Sequence, residues 1–91
     1  MFCCQEADEL YVTIYNGLGN GLRNIYVPTY KTVRRVILDL IGEGFIDFDT
    51  RSTTTALYNL GDGIRYDQNK TIKECGWKNG QIFIALSEYC D

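Results

Sequence analysis

The 91-residue sequence has no histidine, a single proline and no long apolar run. Without histidine the chain lacks the commonest general base near neutral pH, so we predict that it is not an enzyme. No stretch approaches the roughly 20 apolar residues that span a bilayer, so membrane insertion is not expected. The first residues have neither the basic nor the apolar region of a secretory signal. These features together predict a cytoplasmic protein.

Positive charge is also scarce. Nine basic residues stand against twelve acidic ones, and the net charge is −3. A protein that binds nucleic acid needs a basic surface to displace counterions, and the adjacent Arg34 and Arg35 are too few to form one. We therefore expect no nucleic-acid partner.

The four cysteines do not form a pattern typical of a disulfide framework or a metal site. Cys3 and Cys4 are adjacent, whereas Cys75 and Cys90 are remote. A zinc site would need four converging ligands without help from histidine, and an iron–sulfur site needs closely spaced loop cysteines. We predict free thiols in a reducing compartment, no metal and no cofactor. Cys75 is expected to be a small packed thiol. A metal or iron–sulfur carrier is kept as the weaker alternative.

The first half of the chain predicts a β-hairpin. Apolar and polar residues alternate from Glu9 to Tyr15, which is typical of a strand with one buried face. A glycine-rich loop, residues 16–21, leads into a second alternating run that ends at Pro28. The residues predicted to be buried are Leu10, Val12, Ile14, Ile25 and Val27.

A helix follows the hairpin. Thr29 or Thr32 can cap its first turn. Five apolar residues then recur at helical spacing and form one stripe. Gly42 and Gly44 are predicted to end the helix. The stripe consists of Val33, Val36, Ile37, Leu40 and Ile41.

The second half predicts shorter elements. Strands are expected over residues 56–60, 64–66 and 81–86. Thr71 is predicted to cap a single helical turn that Gly76 closes. We divide the chain into a polar leader (1–8), one domain (9–87) and a short tail (88–91).

This order of elements predicts an α+β fold. One helix with a single apolar stripe must cover one face of one sheet. The helix acts as a crossover, so the first and last strands are expected to pair in parallel at the sheet centre. The resulting architecture is a β-grasp, with a mixed sheet of four to five strands and one main helix packed on one face.

Two segments carry a resemblance to known families. The run Thr71–Leu86 resembles the end of ubiquitin-like domains, with a capping threonine, a small turn, a loop and a final apolar strand. The runs Val27–Ile37 and Ile72–Gly80 are similar to the YukD/EsaB family of small bacterial ubiquitin-like proteins. That resemblance implies a cytosolic accessory or regulator of type VII (WXG100) secretion in Gram-positive bacteria. Its partners would be proteins, including components of the secretion machinery.

The same resemblance leads to two further expectations. Ubiquitin and sulfur carriers act through a C-terminal Gly-Gly, whereas this sequence ends Glu88-Tyr89-Cys90-Asp91 and contains no Gly-Gly. The chain is therefore expected to be non-conjugating. The alternative to a secretion role is a ubiquitin-like adaptor domain of another pathway.

Function is then expected to lie in surface recognition. In the last strand, Phe83 and Ala85 are predicted to face the helix, which leaves the alternate residues on the open face of the sheet. An exposed apolar patch of this kind favours a protein partner. The alternative is that the leader or the tail covers it, through Phe2 or Tyr89. The residues predicted to bind a partner are Tyr58, Ile82, Ile84 and Leu86.

Overall fold

A computed structural model describes residues 8–17, 21–46 and 53–89. The four strands in it form one sheet with the spatial order β2-β1-β4-β3. No helix in these ranges is long and apolar enough to cross a membrane. In chain order the elements are β1 (Glu9–Asn16), β2 (Leu22–Pro28), α1 (Val33–Gly42), β3 (Thr53–Asn59), α2 (Ile72–Cys75) and β4 (Ile82–Tyr89).

The sheet is mixed, as the sequence predicts. β1 pairs with β2 and β3 with β4 in antiparallel fashion, whereas β1 and β4 run parallel in the middle. Val12 and Ile14 of β1 are completely buried beneath α1, and Phe83 of β4 lies beside Ile14. These two central strands therefore supply much of the core. The prediction of a β-grasp with parallel central strands is confirmed.

The main helix begins and ends for identifiable reasons. Thr32 has extended backbone angles, and its hydroxyl accepts a hydrogen bond from the N–H of Arg35. Thr29, the other predicted cap, instead bonds to the Asp8 carbonyl. Gly44, at φ 80°, takes the left-handed conformation after the last turn, while Gly42 lies within the helix. All five residues of the predicted stripe are buried.

The short helix α2 is held at both ends. The Thr71 hydroxyl accepts from the N–H of Glu74, and the Glu74 side chain accepts from the N–H of Thr71. This reciprocal pair satisfies two backbone donors that a helix start leaves free. Gly76 closes the turn in the left-handed conformation, as predicted. Cys75 is half-buried and packs against the core.

An aromatic cluster joins the loop after α2 to the sheet. The rings of Trp77 and Phe83 stack with centroids 4.0 Å apart. Tyr66 meets both rings edge-on, at 5.5 Å from each. Such ring contacts stabilise a core by more than the burial of their apolar area alone. Through Tyr66 they also hold the irregular segment before α2 against β4.

Several predicted boundaries were wrong. β3 begins at Thr53 rather than Ala56, and it ends at Asn59. The predicted strand 64–66 is only an isolated bridge between Tyr58 and Arg65, because the chain touches the edge of β3 and leaves again. β4 continues to Tyr89 instead of ending at residue 86. Ile25 is half-buried rather than buried.

Some predictions lie outside the described residues. They concern the leader with its two cysteines, the tip of the first hairpin, the segment 47–52 and the last two residues. The outcomes for Phe2, Cys3, Cys4 and Cys90 therefore stay predictions.

Gly17 marks a point of close contact between β1 and β4. Its N–H donates to the Ala85 carbonyl at 2.7 Å. A Cβ placed on Gly17 would lie 2.3 Å from that oxygen and 2.3 Å from Cδ2 of Leu86. Because the nearest obstacle is backbone, a side chain here would push the two central strands apart.

We therefore expect Gly17→Ala to destabilise the domain by about 1–3 kcal/mol, the typical effect of overpacking. The matched control is Gly42→Ala, because nothing lies within 4 Å of that Cβ position and alanine is favoured in a helix by up to about 1 kcal/mol. Urea unfolding of both variants measures the difference. Equal stability of Gly17→Ala and the wild type would contradict the predicted contact.

Candidate functional site

The face of the sheet turned away from α1, here called the open face, carries the predicted binding residues. Phe83 and Ala85 of β4 are buried under α1. Because strand side chains alternate, Ile82, Ile84 and Leu86 lie on the open face. Ile82 is 41% exposed and Leu86 37% exposed, and Ile84 is half-buried.

The strand register aligns apolar side chains in one row across the whole open face. Leu22 of β2 pairs with Tyr15 of β1, Tyr15 with Ile84 of β4, and Ile84 with Tyr58 of β3. Leu22 and Tyr15 are 41% and 37% exposed, and Tyr58 is half-buried. The open face therefore has an apolar centre built from all four strands.

The apolar surface extends beyond this row on two sides. On the β2 side, the rings of Tyr11 and Tyr26 pack with centroids 4.8 Å apart, and Tyr26 is 67% exposed. Beyond Ile82, the exposed Leu60 borders a recess of about 350 Å³. A recess beside an apolar row is the shape that receives a side chain from a partner surface.

A polar cluster lies on the open face near the carboxyl end of β4. Glu88 of β4 accepts a hydrogen bond from the Tyr58 hydroxyl. Arg65 donates to both oxygens of the same carboxylate, from Nε and from Nη2, at 2.8–3.0 Å. The two-pronged geometry fixes the planes of both groups. Arg65 thereby ties the segment after β3 to the end of β4.

The cluster shifts the ionisation of its members. The hydrogen bonds from Arg65, and then from Tyr58, hold the pKa of Glu88 below its usual range. The hydrogen bond to Glu88 is the main cause that raises the pKa of the Tyr58 hydroxyl. Around neutral pH, Glu88 is therefore ionised and Tyr58 is a hydrogen-bond donor, so the cluster holds together.

Solved structures share this arrangement of strands and helix. The ubiquitin-like domain of yeast Ddi1 is 20% identical, with a TM-score of 0.68, over 97% of this chain and 99% of that one. Caldiarchaeum subterraneum ubiquitin is 19% identical, with a TM-score of 0.66, over 88% of this chain and 94% of that one. A protein designed from ubiquitin is 12% identical, with a TM-score of 0.74, over 94% and 96%. The chain has the ubiquitin-like β-grasp fold.

No family model and no curated protein matches the sequence. The likeness therefore establishes the fold and not the narrower YukD/EsaB assignment, which stays a prediction.

The ubiquitin-like open face is larger than the four residues predicted from the sequence. The hairpin residues that join it were missed, although a signal was present. Tyr11 and Tyr15 alternate with the buried residues of β1, so they had to face away from α1. Only the parallel register with β4 places Tyr15 beside Ile84 and Tyr11 beside Gly80, just before β4 begins. The residues missed are Tyr11, Tyr15, Leu22 and Tyr26.

The described residues offer little to hold a metal. No group of three or more histidine, cysteine, aspartate or glutamate side chains converges within residues 8–17, 21–46 and 53–89. Cys75 lies in that part of the chain, and burial raises the pKa of its thiol. The thiol is therefore largely protonated near neutral pH, a form that is a poor nucleophile and metal ligand.

The Glu88 cluster makes the stability of the domain depend on pH. Because the folded pKa of Glu88 is depressed, its contribution is present above the ordinary glutamate pKa of about 4.3 and is lost as the pH falls through the folded pKa. Glu88→Gln should lower the free energy of unfolding by about 1 kcal/mol at pH 7, the upper end for a partly exposed ion pair.

Urea unfolding of wild type and Glu88→Gln between pH 7 and pH 2.5 measures this effect, and the difference should shrink towards the acid end. Glu43→Gln is the control, because Glu43 is exposed and makes no ion pair within the described residues. A difference for Glu88→Gln that does not change with pH would argue against the ion pair.

Proposed function

We propose that this chain is a non-conjugating, non-enzymatic ubiquitin-like protein that binds a protein partner through the open face. The row Leu22–Tyr15–Ile84–Tyr58 is the observation that carries the proposal. It places apolar side chains from every strand at the centre of a surface with partly polar margins. Protein interfaces are organised in this way, with tyrosine enriched at their cores.

The residues assigned to binding are those predicted from the sequence, Tyr58, Ile82, Ile84 and Leu86, together with Tyr15 and Leu22. Their role follows from shared exposure on one face. Tyr58 has a second role, because its hydroxyl is held by Glu88. An ordered tyrosine loses less entropy on binding than a free one, which favours it as an interface residue.

The proposal that the chain is non-conjugating is supported by the absence of a Gly-Gly pair from the sequence. In the described part of the chain, residues 87–89 are paired with β3 as part of β4, and Glu88 is anchored by Arg65 and Tyr58.

The biological setting proposed is a cytoplasmic accessory or regulatory role in type VII (WXG100) secretion. Its support is the resemblance of Val27–Ile37 and Ile72–Gly80 to the YukD/EsaB family. In this structure those segments are the β2–α1 junction and the α2 turn with its following loop. The second candidate is an adaptor domain of another pathway, which is favoured by the likeness to a domain of yeast Ddi1.

Ile84→Asp should abolish capture of the partner, because it places an unpaired charge at the centre of the apolar row. We expect at least a tenfold loss of partner in affinity purification followed by mass spectrometry. Ile82→Asp is a second variant. Because Ile82 is more exposed than Ile84, this change should destabilise the fold less. Leu38→Asp is the matched control, because Leu38 is 39% exposed on α1 and lies off the open face.

All three variants are first checked by circular dichroism and urea unfolding. Equal partner capture by folded Ile82→Asp, Ile84→Asp and wild type would overturn the open-face proposal. Loss of capture in Leu38→Asp alone would place the interface on the helix instead.

The secretion setting is tested separately by deleting the gene and measuring the export of WXG100 proteins. We expect export to fall several-fold and to be restored by the wild-type gene but not by the Ile84→Asp gene. Unchanged export in the deletion strain would rule out this setting and leave the adaptor role.

A further inference from the structure

A recess lies at the end of the domain where β1 begins. It is formed by α2 with its following loop, by the start of β1 and by the residue after β2, and its volume is about 380 Å³. Small-molecule sites typically have volumes of roughly 300–1,000 Å³, with mostly apolar walls and a few polar groups. The residues around the recess include Leu10, Thr29, Lys73, Trp77, Lys78 and Asn79.

The apolar part of the recess is formed by Leu10 and Trp77. Both belong to the core, and Trp77 is only 5% exposed. Stacking on Phe83 and the edge of Tyr66 hold the Trp77 ring in place. A wall that is already ordered costs a ligand little conformational entropy when it binds. The apolar side of the recess is therefore preformed.

Hydrogen-bond donors and cations lie beside this apolar wall. Lys73 and Lys78 each bring an ammonium group to the recess. Asn79 brings an amide whose orientation is fixed, because its Oδ1 accepts from the Tyr11 N–H at 2.8 Å. A backbone N–H needs an oxygen as acceptor, so the Nδ2 group of Asn79 is left as the donor. All three side chains therefore suit a ligand that accepts hydrogen bonds.

The charges around the recess indicate the sign of the ligand. Among the described residues that line it there is no aspartate or glutamate. Lys78 forms no ion pair with any described residue. Glu74, which follows Lys73 in the sequence, is bound to Thr71 at the start of α2. The described side chains of the recess thus carry two positive charges and no negative one, although the whole chain has a net charge of −3.

A further observation at Trp77 points to the same chemistry. The Nε1–H of Trp77 is shielded from solvent and has no hydrogen-bond partner within the described residues. A buried donor without an acceptor is uncommon in native proteins. A ligand that carries oxygen atoms and is seated against this ring brings the kind of group that the indole N–H lacks.

We propose that the recess binds a small apolar carboxylate, that is, an aryl or short acyl group with a carboxylate head. The apolar body lies against Leu10 and Trp77. The carboxylate pairs with Lys73 and Lys78 and accepts from the Asn79 amide. Hydrogen bonds from cations to a carboxylate are stronger than those to a neutral oxygen, so the charged head group gives the selectivity. This site is separate from the open face and does not rest on the function proposed for it.

Three probes with one apolar body and different head groups test the proposal: phenylpropionate, the neutral phenylpropionamide and the cationic phenylpropylamine. Trp77 is the only tryptophan of the chain, so its fluorescence reports binding directly. We expect phenylpropionate to bind saturably at millimolar concentration and to shift the NMR signal of the Trp77 indole N–H. The amide should bind about 4- to 25-fold more weakly, the combined effect of two partly exposed charge contacts. The amine should not bind measurably.

Lysine variants test the charge contacts from the side of the protein. Lys73→Gln and Lys78→Gln should each weaken phenylpropionate binding by about 2- to 5-fold and leave binding of the amide unchanged. Lys70→Gln is the matched control, because Lys70 is an exposed lysine that does not line the recess. Urea unfolding confirms that each variant is folded. The comparison of head groups on the wild type needs no variant at all.

Four results would overturn the proposal: no saturable binding of phenylpropionate at millimolar concentration, equal binding of the acid and the amide, a loss in Lys70→Gln as large as that in Lys78→Gln, or NMR contacts between the Trp77 and Phe2 rings in the free protein. The fourth result would mean that the leader of this chain fills the recess. Ile84→Asp should bind phenylpropionate as the wild type does, which separates failure here from failure of the open-face proposal.

Discussion

The parallel pairing of β1 with β4 is the contact on which the rest of the molecule depends. Its ends are fixed by two backbone bonds, Thr13 N–H to the Gln81 carbonyl at 3.1 Å and Gly17 N–H to the Ala85 carbonyl at 2.7 Å. Its register decides which side chains of β4 meet α1. A slip of one residue would exchange the core and open-face sets, so Phe83 would leave the aromatic cluster and Ile84 would enter it.

The open face follows from this central pair. Placing β1 and β4 in the middle leaves β2 and β3 at the edges, and a single helix can cover only one face. The uncovered face then collects the alternate residues of all four strands. The β3 edge is partly occupied by the bridge to Arg65, whereas among the described strands β2 pairs only with β1.

Local patterns made a large part of the fold predictable. The stripe of α1, the alternation in β1, and the Thr71 cap with Gly76 depend on neighbours a few residues apart, so sequence spacing reveals them. The end of β4 could not be found this way. Residues 87–89 are not an apolar run, and they extend the strand because they pair with residues 53–55 of β3. Arg65, more than 20 residues away in sequence, also holds the Glu88 side chain. The prediction of a strand over residues 64–66 was wrong for the opposite reason. These residues have a strand-like pattern, but they make only one bridge to β3.

The sequence by itself determined the elements, their order, and the sets of residues that share a face within each strand. Helical and strand periodicities, caps and glycine turns are properties of short segments, and they operate before distant parts of the chain meet. Only the tertiary structure decided how the rows of different strands align and how far β3 and β4 extend. Those outcomes depend on the register between strands that are far apart in sequence. Backbone hydrogen bonds alone would permit several registers, because every residue offers the same groups. Long-range side-chain packing selects one of these registers.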